Sequence, residues 1–436
     1  MKKIFTFIAI MLIVLATIWG IKISLEINQC NLDNNKVCFD IETSHFLIED
    51  NATILVRVPT QETKTQLEQL WKSQYPTKST LLQIDVGSTI EANQVSTIGE
   101  DIFLLDSSHA ALALDNLYKL DPAIMPIIAE QVNLSLAEDI NSNHPVFITT
   151  FITGDTLITD ITSLDNNNLS LNNVATFDNL FQHHSSLTEN YEVIFPLIFN
   201  DFDTLYPLLT VDGWYPFNDF ELDLAHLDST EFLNGLIFIQ TLGDYIWDSK
   251  NPTNNPNEFT WQYDTILANE KGPLSIYKPY VNMEIIEAST QHNYLFTAYP
   301  SYQQQTLTHL SSVQGWVMHK NTYYPSAGHE VLTFLRSPQA IEILTNTTNK
   351  TPAIHSNVLR TINIPLRQRQ LALAHQQART KPFVTTPANQ NKLLWDVFTD
   401  IDITKTIKDV YSQKLTPQQA QEEIVKQYQQ WIEENR

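Results

Sequence analysis

The stretch from Ala52 to Val86 constrains the fold of this chain more than any other. Ala52–Pro59 reads ATILVRVP, an apolar run the length of one strand, and it leads into residues 60–75, where Leu67, Leu70 and Trp71 recur at helical spacing. Leu81–Val86, LLQIDV, is a second strand. A strand, a helix and a strand in succession pack with the strands parallel and the crossover right-handed. The alternation continues with a short strand at Ile102–Leu105 and a helical ALALDNLYKL over residues 111–120, so the first lobe is expected to be a doubly wound α/β sheet. Apolar strands are expected again at Val146–Ile152 and Thr156–Ile161. Helices then dominate, at Phe177–Leu187, Glu231–Ile246, Glu330–Leu335 and Pro338–Leu344. Asn166–Asn168 and Asn251–Asn257 mark polar loops. The last helix carries its own start signal: Thr416 as N-cap, Pro417 in the first position and Gln419 completing a capping box. Its stripe of Ala420, Ile424, Val425, Tyr428 and Ile432 is read as core.

At 436 residues the chain has room for two or three domains, and 43% hydrophobic residues suffice for real cores. Forty-nine acidic against 26 basic residues give a net charge of −23, too little positive charge for a nucleic-acid groove. Charged residues make up only 17%, and Asn, Gln, Ser and Thr fill the deficit, which favours uncharged polar ligands over phosphates. Among ten glycines neither GxxxxGK[ST] nor GxGxxG occurs, so nucleotide chemistry is not expected. No cofactor or metal is expected either, since His183-His184 are adjacent and diverge on a helix.

The N-terminus reads MKK, then an apolar run from Ile4 to Ile21, then Lys22, long enough to span a membrane. Residues 1–22 are therefore read as an anchor or a signal segment. The run continues through Ile18, Trp19 and Ile21 without a small-residue cleavage pattern, which favours the anchor, and its positive flank places the rest of the chain outside the cytoplasm. Residues 23–50 read as a stalk or an added hairpin, with apolar stretches at Val37–Ile41 and Phe46–Ile48. Cys30 and Cys38, the chain's two cysteines, are either a disulfide closing a short loop or two free thiols.

Three longer stretches carry a family resemblance: EDIFLLDSSHAALALDNLYKLDP (residues 100–122), YPLLTVDGWYPFNDFELDLAHLDSTEFLNGLIFIQTL (206–242), and the series running from ILANEKGPLSIYKPY (266–280) through AYPSY, VQGWVMHK and GHEVLTFLRSPQAIEIL to TPAIHSNV. Their order and spacing resemble the extracellular solute-binding proteins of ABC sugar importers, of the maltose/maltodextrin-binding type. The resemblance implies two doubly wound α/β lobes joined by a hinge (periplasmic-binding-protein type II-like), with a sugar held in the cleft and delivered to permease subunits. Lobe 1 is then residues 51–153 plus 316–358, and lobe 2 is residues 154–315 plus 359–436. Gly154 and Gly315, each beside a crossover, suit a hinge; a turn or close packing is the plainer alternative.

A sugar presents apolar C–H faces and hydroxyl edges, so its site needs aromatic plates and polar acceptors. By resemblance the plates are Trp395 in NKLLWDVF, Tyr280 in YKPY where relatives usually carry Trp, Trp316 in VQGWV, and Trp214 and Tyr215 after the DG turn. An aromatic residue in an α/β lobe is more often core than platform. Asp106 and Ser107 lie at the carboxyl end of a strand, where open α/β sheets bind ligands. Asp201 and Asp203 in FNDFDTLYPLL match a segment that lends polar groups from the second lobe; Gln61 and Glu62 follow the first strand. The chain departs from the pattern at TLITDI, where relatives usually have an aromatic pair and Asn, and at Tyr280. These departures leave room for a different saccharide, or for an anchored sensor or adhesion protein with a decayed cleft. An enzyme is the weaker alternative: residues 201–203, DFD, resemble a DxD metal motif, but no nucleophile or ligand cluster accompanies them.

Overall fold

A computed structural model describes residues 37–130, 141, 145–199, 202–216, 225–246, 263–278, 281–382, 397–398 and 400–435. The apolar run of residues 4–21 lies outside them, and among the described residues no helix is long and apolar enough to cross a membrane.

The described chain begins with a hairpin, β1 (Phe39–Asp40) and β2 (His45–Phe46), in which Phe39 stands opposite Phe46. β3 (Ile54–Val58), α1 (Gln61–Gln74) and β4 (Leu82–Val86) follow, and β3 pairs parallel with β4 from Ile54–Leu82 to Val58–Val86. This is the crossover that the alternation over Ala52–Val86 implies. The Thr60 hydroxyl accepts the Thr63 amide to cap α1, and Leu67 and Trp71 bury its inner face. β5 (Ile102–Asp106) joins β3 in parallel. The next helix differs from the sequence expectation: α2 spans Ser107–Leu112, and Leu114–Asn116 is a 3₁₀ turn. Downstream, the amides of Tyr118 and Leu120 bond Met318 and Pro145, tertiary partners that local spacing does not reveal. β6 (Phe147–Gly154) and β7 (Thr156–Asp160) then run on with only Asp155 between them.

The helical pattern at Phe177–Leu187 is two helices, α3 (Phe177–Gln182) and α4 (His184–Asn190), broken at His183. α5 (Phe202–Leu209) and α6 (Thr230–Ile246) precede β8 (Leu274–Tyr277), α7 (Met283–Thr290) and β9 (Tyr294–Thr297). β7 lies between β8 and β9 and antiparallel to both. The second sheet is therefore antiparallel, not the doubly wound layer expected for lobe 2. β7 arrives straight from β6 and fills the gap of the β8-α7-β9 crossover, so both neighbours pair with a strand of opposite direction.

β10 (Thr308–Met318) returns to the first sheet and pairs antiparallel with both β5 and β6, with a bulge at Gln314–Gly315. α8 (Pro325–Leu335), α9 (Pro338–Thr348), β11 (Thr351–Pro352), α10 (Leu366–Gln377) and β12 (Arg379–Pro382) follow. Among the described residues the first sheet has seven strands, in the order β11-β6-β10-β5-β3-β4, with β12 alongside β10. α11 (Ile403–Tyr411) and α12 (Pro417–Asn435) end the described chain. At α12 the capping box forms as the sequence specifies: the Gln419 amide donates to Thr416 Oγ1 at 3.2 Å, and the Thr416 amide donates to Gln419 Oε1 at 3.0 Å. Ala420, Ile424 and Tyr428 are fully buried.

The buried apolar residues separate along the two sheets. One large cluster draws on residues between 157 and 310 and between 371 and 428, and another on residues between 46 and 151 and between 316 and 344. The N-terminal hairpin belongs to the second of these. Glu49 accepts the Ser326 and Ala327 amides at the start of α8, at 2.8 and 2.7 Å, where the helix dipole favours a carboxylate. Glu330 of α8, itself buried, accepts the Phe46 amide at 2.8 Å and the Tyr75 hydroxyl at 2.6 Å, and meets His45 Nδ1 at 2.7 Å. Cys38 is held in a disulfide; Cys30 lies outside the described residues.

Gly154 and Gly315 serve close approach in this structure. A Cβ on Gly315 would lie 2.6 Å from both the Ile148 carbonyl and the Phe147 ring, and one on Gly154 would lie 2.8 Å from the Leu310 carbonyl. Gly315→Ala is thus expected to lower stability by about 1–3 kcal/mol, read as a lower urea midpoint. An unchanged midpoint would mean that the β6–β10 contact yields without cost.

Candidate ligand-binding site

Parallel strands place their carboxyl ends on one edge of a sheet, and three segments meet there. Asp106 ends β5, Val58-Pro59 ends β3, and Gly87-Ser88 follows β4. β10 runs the other way, which sets Gln314 directly opposite Asp106. Gln314 Nε2 donates to Asp106 Oδ1 at 3.3 Å, and Lys350 Nζ donates to Gln314 Oε1 at 2.7 Å. The amide's orientation is fixed by having an acceptor on one side and an ammonium on the other. Lys350 also lies over the Phe151 ring, 5.4 Å from its centroid, and burial pushes its pKa down while Asp106 pulls it back up. Beside them Arg57 binds Glu100 through Nε at 2.8 Å and Nη2 at 2.5 Å. The hollow between Arg57, Ser88, Thr89, Gln314 and Lys350 is only about 20 Å³, room for one water-sized group, so a larger ligand would lie across this edge.

A second polar cluster marks the passage between the sheets. Asp155, the single residue between β6 and β7, pairs with Lys278 at 2.5 Å, and their side chains are 14% and 9% exposed. The hydroxyl of Thr204 in α5 reaches the same carboxylate at 3.3 Å, and the Asp155 carbonyl lies 3.1 Å from His309 Nδ1. Burial pushes His309 down to about 4 and His375 down to about 3, the latter helped by its neighbour His309. Both imidazoles are therefore neutral near pH 7. Lys278 is the last described residue before positions 279–280.

Tyr280, Trp395 and Asp201 lie outside the described residues. Trp316 is 0% exposed within the first-sheet core, and Trp214 is 2% exposed, packed on Tyr206 and Phe232 with its Nε1 donating to the Ala225 carbonyl at 3.3 Å. These two indoles fill apolar interior, and what sets them there is the strand and turn they occupy. Tyr215 is half-buried against the same core as Trp214. Ser107 is buried in the first position of α2. Asp203 sits half-buried in the first turn of α5, next to the Thr204 that bonds Asp155. Glu62 is exposed in the first turn of α1 and accepts from Gln66 at 3.0 Å. Of the candidates, the structure joins Asp106 to a polar relay and brings Asp203 beside the crossing. Sequence reading missed Arg57, Gln314, Lys350, Asp155 and Lys278. Two had a visible signal, a charge inside ILVRV and an amide inside the apolar SSVQGWV; the pairing of Asp155 with Lys278 spans 123 positions of sequence (278 minus 155) and left none.

Lys278→Met would remove the ammonium that pairs with the buried Asp155 carboxylate. It is expected to lower stability by about 3 kcal/mol or more, read by urea denaturation. The buried imidazoles give a pH signature. Their folded pKa values lie below the unfolded 6.5, so the unfolded chain binds more protons, and stability is lost as the pH falls from about 6.5 to about 4. His309→Gln should flatten that part of the urea-midpoint profile; a superimposable profile would exclude His309 as its source.

No family model and no curated protein sequence matches the chain. Solved structures do. A cyclo/maltodextrin-binding protein complexed with maltotetraose aligns with a TM-score of 0.63 at 16% identity, over 88% of this chain and 98% of its own. The maltose-binding periplasmic protein MalE of Listeria monocytogenes, in complex with maltose, aligns at 0.64 and 16%, over 89% of this chain and 100% of its own. An extracellular solute-binding protein of Staphylococcus aureus, in complex with maltose, aligns at 0.65 and 14%, over 88% and 99%. At such identities the likeness is one of fold, and over 88–89% of its length this chain has the fold of these solute-binding proteins.

Proposed function

We propose that this protein is an extracytoplasmic solute-binding subunit, which captures a sugar or oligosaccharide reversibly between two lobes and delivers it to the permease of an ABC importer. The observation that carries the reading is the extent of the fold match: 88–89% of this chain on 98–100% of three proteins whose structures hold maltose or maltotetraose. In this reading lobe 1 is residues 51–153 plus 316–358 and lobe 2 is residues 154–315 plus 359–436. The hinge runs through Gly154-Asp155 and the Gly315 region. Residues 1–22 anchor the protein to the outer face of the cytoplasmic membrane, and no cofactor or metal takes part.

Asp106 is the hydroxyl acceptor of lobe 1. Its Oδ1 is held by Gln314, and Oδ2 has no partner among the described residues, which leaves it for a sugar hydroxyl. Trp395 and Tyr280 supply the aromatic plates, with Asp201 and Asp203 as polar partners from lobe 2. A ligand touching both lobes binds the closed state better than the open one and shifts the population toward closure. The sensor or adhesion reading draws on one observation. β7, TLITD, is buried along its whole length, and Asp160 at its end is occupied by the Ser163 amide and His292, so this strand end offers a sugar no free group among the described residues.

A thermal-shift screen of the full chain against mono-, di- and oligosaccharides is expected to find a ligand. At a hundredfold excess over Kd it would add about 2.7 kcal/mol of stability. Trp395→Ala and Asp106→Asn should each weaken that ligand roughly tenfold or more while leaving the unliganded melting temperature in place. No stabilisation by any saccharide would favour the sensor reading; release of product from a glycoside would favour an enzyme.

A further inference from the structure

An open groove of about 350 Å³ lies between α6 and the turn after β9, and none of its lining residues belongs to the Asp106 or Asp155 clusters. Two observations set it apart from ordinary surface. First, the solvent-facing side of α6 carries two large apolar side chains, Ile237 and Tyr245, 40% and 41% exposed, in line with Asn234 and Thr241 at three- and four-residue spacing, over the buried Phe238. Rings pack beside and beneath the groove. Phe181 stacks on Tyr245 with centroids 4.5 Å apart, and Tyr302 meets Phe238 at 4.5 Å and Phe181 at 6.2 Å.

Second, the far wall is a strained turn. Tyr302 and Gln305 bond each other's backbone in both directions, at 3.0 and 2.8 Å, and Gln303 and Gln304 between them take φ of +46° and +66°. Such a two-residue turn is ordinarily built from Asn and Gly, because side chains disfavour positive φ. The Asp178 carboxylate accepts the Gln303 amide at 2.8 Å, and the turn sets Gln303 and Gln305 on the groove wall.

We propose that this groove is a second carbohydrate-binding site, for a glycan chain, separate from the interlobe cleft and independent of it. The lining combines the half-buried Tyr302 ring and the exposed Ile237 with the amides of Asn234, Gln303 and Gln305 and the single carboxylate of Asp212, and among the described residues it contains no cation. Ring faces take the C–H surface of a sugar, and amides and a carboxylate take its hydroxyls. A phosphate or acidic ligand finds no counter-charge here. A buried apolar helix would cover the Asp212 carboxylate, which accepts from Asn234 Nδ2 at 2.7 Å, without a counter-charge among the described lining residues. The occupant is thus neutral and hydroxyl-rich.

The test is electrophoresis of the full chain, in a detergent without a sugar headgroup, through native gels containing soluble starch, laminarin, xylan or galactomannan. At least one polysaccharide is expected to retard the protein. Ile237→Arg, at an exposed position, and Asn234→Ala should each weaken that retardation about fivefold or more and leave small-saccharide binding in the thermal-shift assay unchanged. Asp106→Asn should do the reverse. If Ile237→Arg fails to fold by circular dichroism, Asn234→Ala alone carries the comparison. Absence of retardation by every polysaccharide, retardation indifferent to both groove variants, or retardation lost only in Asp106→Asn would each overturn the proposal. So would groove variants that change the sedimenting species and not the retardation, which would assign the face to self-association. Retardation through the groove with no small-saccharide binding would uphold this site and sink the cleft reading.

Discussion

Two sheets in this protein share one continuous stretch of chain, and the buried pair of Asp155 with Lys278 fixes how that stretch passes from one to the other. β6 belongs to the seven-stranded sheet and β7 to the three-stranded one, with Asp155 alone between them. A lone residue at such a crossing has no ladder of its own to satisfy it. Its carboxylate is met by Lys278 at the end of β8 and by Thr204 at the start of α5, and its carbonyl by His309 of β10. Elements from three separate places in the sequence thereby converge on one residue. An ion pair so far out of water holds because each charge has partners, and removing either side of it is costly.

The same economy of charge shapes the edge of the larger sheet. Asp106, Gln314 and Lys350 form a chain in which a neutral amide separates a carboxylate from an ammonium, and Arg57 is matched by Glu100. The site thus offers hydrogen-bonding groups of both kinds with little net field. That suits the low proportion of charged residues in the whole chain, and it contrasts with the chain's strong acidic excess.

Much of the architecture was legible in local pattern. The strands around Ile54, Leu82, Ile102, Phe147 and Thr156 stand where apolar runs placed them, and the capping box at Thr416 forms bond for bond. Local pattern misled where a segment's backbone is taken up by distant partners. Residues 117–120 bond Met318 and Pro145 in place of continuing a helix, and the smaller sheet is antiparallel because β7 enters between β8 and β9. Of the polar candidates, Asp106 was readable because the end of a strand is a local property. The indoles of Trp214 and Trp316 were not, because whether a ring faces a cleft or a core depends on what packs on it.

The sequence by itself determined the strand-helix-strand opening, the lack of any phosphate-binding loop, the uncharged polar character of the chain and the presence of Asp106 at a strand end. Each of these follows from residues within a few positions of one another or from composition alone. Only the tertiary structure decided that Gln314 and Lys350 complete the Asp106 relay, that Asp155 finds Lys278, and that α6 and the Tyr302–Gln305 turn face each other across a groove. Those pairings join residues far apart in sequence. They exist only once long loops have closed and the buried charges and amides have found the partners that burial demands.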